Sequence, residues 1–70
     1  MIYKAYFKYT NASKKLEDNR TLSAYGETHD EAVERLKTEA RTLSDAYMTV
    51  YAGDMHSCTL EIVTEEVNLI

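Results

Sequence analysis

The run Asp54-Met55-His56-Ser57-Cys58 joins the chain's only cysteine to one of its two histidines. In extended backbone Asp54, His56 and Cys58 fall on one face, because side chains alternate along a strand. Such a set invites a Cys–His nucleophile or a metal site. A structural zinc needs four ligands of this type and a catalytic zinc three. Only His29 remains to complete the set, and it opens a helix elsewhere. The simpler reading is a polar turn leading into a buried cysteine that packs as a small hydrophobe. Two histidines without supporting spacing make no Ser-His-Asp arrangement, and no glycine-rich phosphate loop is present. Glu61, Glu65 and Glu66 read as solvated carboxylates on an edge strand rather than as a pair in a cleft. No catalytic, cofactor-binding or metal-ligating residue is assigned, no cofactor is expected, and the chain reads as non-enzymatic.

Binding chemistry is better represented. Tyr6 lies between Lys4 and Lys8 in a period-two pattern that turns all three outward. An aromatic flanked by lysines on a sheet is how some modules stack single-stranded bases. One aromatic is too few for a stacking platform, and lysines also guard exposed strands against aggregation. Lys14, Lys15 and Arg20 follow in a polar stretch, Asn11 to Arg20, expected to be a surface loop, and loops are frequent contact points. There are six tyrosines with one phenylalanine and no tryptophan. Some must be core, and those left outside are natural interface anchors. The candidate partner-binding residues are therefore Lys4, Tyr6, Lys8, Lys14, Lys15 and Arg20. The acids Glu27, Asp30, Glu31 and Glu34, with Glu61, Glu65 and Glu66, could imitate DNA phosphates. Helix capping and dipole complementarity already account for the first four.

What positions these residues must be small. Seventy residues form a single domain, 1–70, and a chain this short buries only about 60% of the surface its unfolded form exposes. One cysteine allows no internal disulfide and suits a reducing compartment. Met1 to Thr10 carries Lys4 and Lys8 within its apolar run and shows no signal-peptide pattern. No apolar run approaches the roughly 20 residues of a membrane helix. A cytoplasmic protein without a membrane partner is expected. The net charge of −4 is unevenly spread. Residues 1–20 carry +3 and residues 21–70 carry −7. An acidic chain is a poor general ligand for phosphate backbones, so nucleic acid is not the expected partner.

Ile2 to Thr10 alternates as a strand, with Tyr3, Ala5, Phe7 and Tyr9 on the core side. Thr21 to Tyr25 is a second strand, ended by Gly26. Thr28 and Glu31 have capping-box spacing, in which the Thr28 hydroxyl accepts from the Glu31 N–H and the Glu31 carboxylate returns to the N–H of Thr28. The helix buries Ala32, Val33, Leu36, Ala40 and Leu43 and is expected to end near Ser44-Asp45. Tyr47 to Ala52 alternates as a third strand, Gly53-Asp54 is a turn, and Ser57 to Thr64 is a fourth strand. That strand turns Cys58, Leu60 and Ile62 inward, and Thr59, Glu61 and Val63 outward. Glu65 to Ile70 is a tail that extends the strand or docks on a partner. The order β-β-α-β-β predicts an α+β fold of two layers, an antiparallel sheet with one helix on one face. The other face is left open.

Tyr25-x-Glu27-Thr28-x-Asp30-Glu31-Ala32-x-Glu34 resembles the strand–turn–helix stretch of small bacteriophage host-takeover proteins, the short phage inhibitor of bacterial RNA polymerase among them. Phage anti-CRISPR proteins have a similar size and one-helix α+β layout. HicB-type antitoxins share a Gly-x-Thr-x-x-Glu-Ala turn, but this chain lacks the proline-rich segment that precedes theirs. The phage resemblance spans Tyr25 to Glu34, and no contact residue outside that stretch is carried over from it. It implies a non-enzymatic protein that binds a bacterial host protein or nucleoprotein complex, in the host cell cytoplasm, and inhibits or redirects it by occlusion. The alternatives are a homodimeric structural or accessory module, paired through its open face or an edge strand, and a weak single-stranded nucleic-acid binder using Tyr6.

Overall fold

The computed structural model describes residues 2–62 and 65–70. Met1, the expected outward position of Val63 and the expected strand end at Thr64 lie outside the described residues. The elements are β1 (Ile2–Asn11), β2 (Leu16–Tyr25), α1 (His29–Val50), β3 (His56–Ile62) and β4 (Glu65–Asn68). They form one four-stranded antiparallel sheet in the order β2-β1-β3-β4, with the helix on one face. The α+β two-layer architecture is as the sequence predicts.

The first hairpin is longer than the sequence pattern indicates. β1 and β2 pair continuously from Ile2↔Tyr25 to Asn11↔Leu16. Only Ala12 to Lys15 remain as loop, so the polar run Leu16–Arg20 is strand. Polarity marks loops only by correlation. Here cross-strand pairing with an apolar, central β1 holds polar residues in an edge strand. Asn11 sets the turn. Its buried Oδ1 accepts from Ser13 Oγ at 3.0 Å and from the Lys14 N–H at 3.2 Å. Lys15 then closes the loop in the left-handed region, at φ 53°.

The core lies between the helix and the sheet. Ala5, Phe7 and Tyr9 of β1 meet Leu22 of β2, Cys58, Leu60 and Ile62 of β3, and Val33, Leu36 and Ala40 of α1. The alternation expected for β1 and for β3 is observed. Ala32 and Ala40 are fully buried, which lets the helix lie close to the strands.

The helix start is half of the anticipated capping box. Thr28 Oγ1 accepts from the Glu31 N–H at 3.2 Å. The Glu31 carboxylate does not return to Thr28 but pairs with Arg35 at 2.8 Å, one helical turn on. Arg35 also donates to the Tyr25 carbonyl at 2.6 Å, tying the helix to the end of β2. The guanidinium is the stronger attraction for that carboxylate, because a hydrogen bond between two charged groups is stronger than one to a neutral amide. Thr28→Ala should lower unfolding free energy by about 1 kcal/mol in urea melts. A loss below roughly a third of that would show that the cap contributes nothing measurable.

The expected third strand, Tyr47 to Ala52, is not a strand. The helix does not stop at Ser44-Asp45 but runs through Val50, with Tyr51 as its C-cap. Tyr, Thr and Val favour strands, but local propensity is a weak prior that packing overrides. No glycine or proline interrupts the chain between Gly26 and Gly53. Ser44 is buried, and Tyr47 and Tyr51 continue the core-facing stripe at i+3 and i+4 spacing, so their rings land on Tyr9. Gly53 ends the helical path at φ +87°, and the Asp54 N–H donates to the Tyr51 carbonyl at 3.1 Å.

The sheet's fourth strand is supplied by the C-terminal segment. Glu65–Asn68 neither extends β3 nor projects away but folds back against it, with Leu60↔Val67 and Glu61↔Glu66 in register. Beyond it, the Leu69 N–H donates to the Cys58 carbonyl at 2.9 Å. Val67 and Leu69 pack against the core, which explains the apolar tail.

Candidate functional site

Strand pairing decides what shares the uncovered face of the sheet. Directly opposed residues of an antiparallel pair point the same way. Lys4, Tyr6 and Lys8 of β1 therefore stand beside Ser23, Thr21 and Asn19 of β2. On the other side Tyr6 faces Glu61 and Lys8 faces Thr59. Glu66 of β4 completes the row beside Glu61. Tyr6 is 65% exposed at the centre of this field. The residues around it line a shallow depression of about 400 Å³. The helix occupies the opposite layer, so among the described residues none closes over this surface.

Electrostatically the face is mixed. Lys4 and Lys8 form no ion pair among the described residues. Glu61 and Glu66 oppose one another as like charges, a destabilising pair in isolation. A partner that brings a cation between them and an anion to Lys4 or Lys8 relieves both.

The six candidate residues do not form one patch. Lys4, Tyr6 and Lys8 are brought together. Lys14 and Lys15 sit in the β1–β2 loop, at the end of the sheet. Arg20 was expected in that loop, but it belongs to β2, where its pairing with Phe7 aligns it with the helix-covered side. Its Nε holds Asp18 Oδ2 at 2.9 Å. The reason is parity: extending β2 to Leu16 places its even-numbered residues toward the helix. The acidic residues also divide. Asp30 and Glu31 occupy the helix's first turn, whereas Glu61 and Glu66 lie on the open face.

The Asp54–Cys58 run is split as well. His56 and Cys58 point toward the helix layer, and Cys58 is fully buried. Burial pushes its thiol pKa up, and a hydrogen bond with Ser44 offsets part of that. A raised pKa disfavours the thiolate, which is the nucleophilic form. Asp54 Oδ2 instead accepts from Asn11 Nδ2 at 3.3 Å. Among the described residues no three His, Cys, Asp or Glu side chains converge as a metal site would require.

The sequence pattern did not reveal a second cluster, at the far end of the helix. Tyr9 stacks on Tyr47 at 4.0 Å between ring centroids and 6° between planes, with Tyr51 next at 6.3 Å. Asn11 Nδ2 donates to Tyr9 Oη at 3.2 Å, and the Tyr47 hydroxyl donates to Asp18. His56 lies beside Tyr9, and its buried Nδ1 has no hydrogen-bond partner among the described residues. The signal was present, since Tyr47 and Tyr51 are four apart and continue the helical stripe, but the same residues also alternate as a strand.

No protein-family model matches the chain, and neither a curated protein nor a solved structure is significantly similar to it. Among the described residues no helix is long and apolar enough to cross a membrane.

Proposed function

We propose that this chain is a small non-enzymatic protein of the phage host-takeover type, which binds a bacterial macromolecular complex and inhibits or redirects it by occlusion. The observation that carries the reading is Tyr6, exposed between Lys4 and Lys8 at the centre of an uncovered sheet. An exposed tyrosine is a preferred interface anchor, giving apolar area, a hydrogen-bonding hydroxyl and little entropy to lose. The sheet around it is continuously hydrogen-bonded, so the contact surface is already organised. A shallow, lidless depression suits another macromolecule better than a small molecule, which needs most of its surface enclosed. Glu61 and Glu66 beside the lysines favour a protein of mixed charge over a phosphate backbone. The resemblance of Tyr25 to Glu34 to phage inhibitors supplies the bacterial setting and the host cytoplasm. Lys14 and Lys15 are a second, separate contact.

The test is capture from bacterial lysate with tagged wild type and with Tyr6→Ala/Lys8→Glu. The wild type should retain a defined set of host proteins that the double variant loses. Loss of a central anchor costs about 2 kcal/mol or more, roughly thirtyfold in affinity. Retention no greater than with the tag alone, or equal retention by both proteins, overturns the reading. Unchanged capture by Lys14→Glu/Lys15→Glu would remove the loop from the interface.

A further inference from the structure

β2 is ten residues long, lies at the edge of the sheet and, among the described residues, pairs only with β1. Among the described residues no strand pairs with its outer row of N–H and C=O groups, and only at the end of the strand does a side chain, that of Arg35, reach a backbone group, the Tyr25 carbonyl. The strand contains no proline, and its register against β1 advances one residue at a time without a bulge. Edges of this length are normally blunted by such devices, because an open edge is a template for pairing. The other edge, β4, is only four residues long.

We infer that the free edge of β2 is a homodimer interface, pairing antiparallel with β2 of a second copy about a two-fold axis at Asn19. The charge pattern of the strand selects this register. With Asn19 opposite Asn19, Asp18 of each copy faces Arg20 of the other, Glu17 faces Thr21 and Leu16 faces Leu22. Shifting the strands to the next register that keeps both helices on one side of the sheet places Arg20 against Arg20. Shifting the other way places Asp18 against Asp18. One step beyond the first shift, Arg20 faces Leu22 and Asp18 faces Ala24. Only the Asn19-centred register pairs every charge on the helix side with its opposite. The groups are available for it: Arg20 engages Asp18 through Nε, and both contacts to Asp18 end on Oδ2. Arg20 keeps its terminal nitrogens and Asp18 keeps Oδ1.

A second observation falls at the same place. On the helix side of the β2 edge, Leu43, Ala46, Tyr47 and Val50 of α1 line an apolar groove of about 310 Å³ that begins at Arg20, one residue from the axis. Leu43, Ala46 and Val50 have i, i+3, i+7 spacing, and Val50 is 71% exposed. This strip flanks the helix stripe that covers the sheet and shares Leu43 and Tyr47 with it. In the proposed dimer the two strips meet across the axis above the joined strands. Pairing of one strand edge buries too little for a stable dimer, which needs about 1,200–2,000 Å² in total, and the helix strips add apolar area. The product is an eight-stranded sheet with two Tyr6 faces on one side, so this interface and the proposed host contact do not compete.

The experiment is the mass in solution of the tag-free chain by sedimentation at high micromolar concentration, with three variants. The wild type should be a dimer. Arg20→Asp places Asp opposite Asp18 at two symmetric points and should weaken dimerisation about tenfold or more. Val50→Glu, at an exposed position, should do the same with an unchanged circular-dichroism spectrum. Asn19→Cys should cross-link to itself under mild oxidation, because directly opposed residues have Cβ atoms about 4.5–5.5 Å apart. Thr21→Cys should not, because its two copies are four residues out of step, roughly 13 Å. Cys58 is fully buried and will not compete. A monomer at every concentration overturns the proposal. So does a dimer that both Arg20→Asp and Val50→Glu leave intact, or one in which Thr21→Cys cross-links and Asn19→Cys does not. Tyr6→Ala should leave the dimer unchanged, so failure here is distinguishable from failure of host capture.

Discussion

Gly26→Ala should destabilise the fold by about 3 kcal/mol or more, and Gly26→Val should leave little folded protein at ambient temperature. A Cβ at this position would stand 2.4 Å from the Ala32 nitrogen, 2.8 Å from its Cα and 2.9 Å from the Thr28 carbonyl oxygen. All three are backbone atoms of the helix start, so no side-chain rotation relieves the overlap. Relief requires the first turn of α1 to move off the end of β2. That would break the Thr28 cap and the Arg35 bond to the Tyr25 carbonyl. A domain of this size has roughly 0.05–0.15 kcal/mol of stability per residue, so a change of this magnitude consumes most of it. Urea melts followed by circular dichroism measure it. A cost under about 1 kcal/mol would show that the helix start shifts freely and that the close approach has no consequence. Gly53 provides the contrast. Its φ of +87° is the constraint, and the space around it is open. Gly53→Asn should therefore cost less than Gly53→Ala in the same melts, since asparagine visits left-handed backbone more readily than other side chains.

Tyr9→Ala should cost about 3–5 kcal/mol, the range for removing a large buried ring. Tyr9 is fully buried, and its ring joins three parts of the fold. It stacks on Tyr47 and Tyr51 at the end of the helix, sits beside His56 of β3, and accepts a hydrogen bond from Asn11 at the β1–β2 turn. Removing it takes away the surface on which the last turns of α1 rest. Part of the loss should appear in the native state, as reduced helical ellipticity before global unfolding. Tyr9→Phe keeps the stack and removes one of the acceptors of the Asn11 amide, so it should cost only about 1 kcal/mol. If Tyr9→Ala costs no more than Tyr9→Phe, the stack does not hold the helix end.

These two sites show where the sequence was legible. Gly26 stood out because strand, glycine and capping residues followed within a few positions. That it ends the strand was readable. That it must be glycine for lack of space was not, because the Ala32 backbone approaches it only once the helix is laid on the sheet. Tyr9 was readable as core from its alternation with Lys8 and Thr10. Its partners were not, because Tyr47 and Tyr51 satisfy a strand period and a helix period equally well. The polar half of β2 was read as loop for a related reason. Edge residues with solvent on one side keep a loop-like composition even when their backbone is paired.

The open face divides along the same line. Lys4, Tyr6 and Lys8 could be grouped from their spacing in one strand, because neighbours on one face are set by local geometry alone. Glu61, Glu66 and Thr21, which complete the face, come from three other strands. The loss of Arg20 from the group followed from the start of β2 at Leu16, five residues earlier than composition indicates.

The sequence by itself determined the fold class, the core faces of β1 and β3, the capped start of α1 and the outward row Lys4-Tyr6-Lys8. All of these depend on periodicity or on contacts within a few residues. Tertiary structure alone decided the length of α1, the return of Glu65–Asn68 as the fourth strand, the helix-side position of Arg20 and the exposed edge of β2. Each of those depends on which surface a segment meets after the chain has folded back, and the free energy of that contact exceeds the small local preferences a sequence displays.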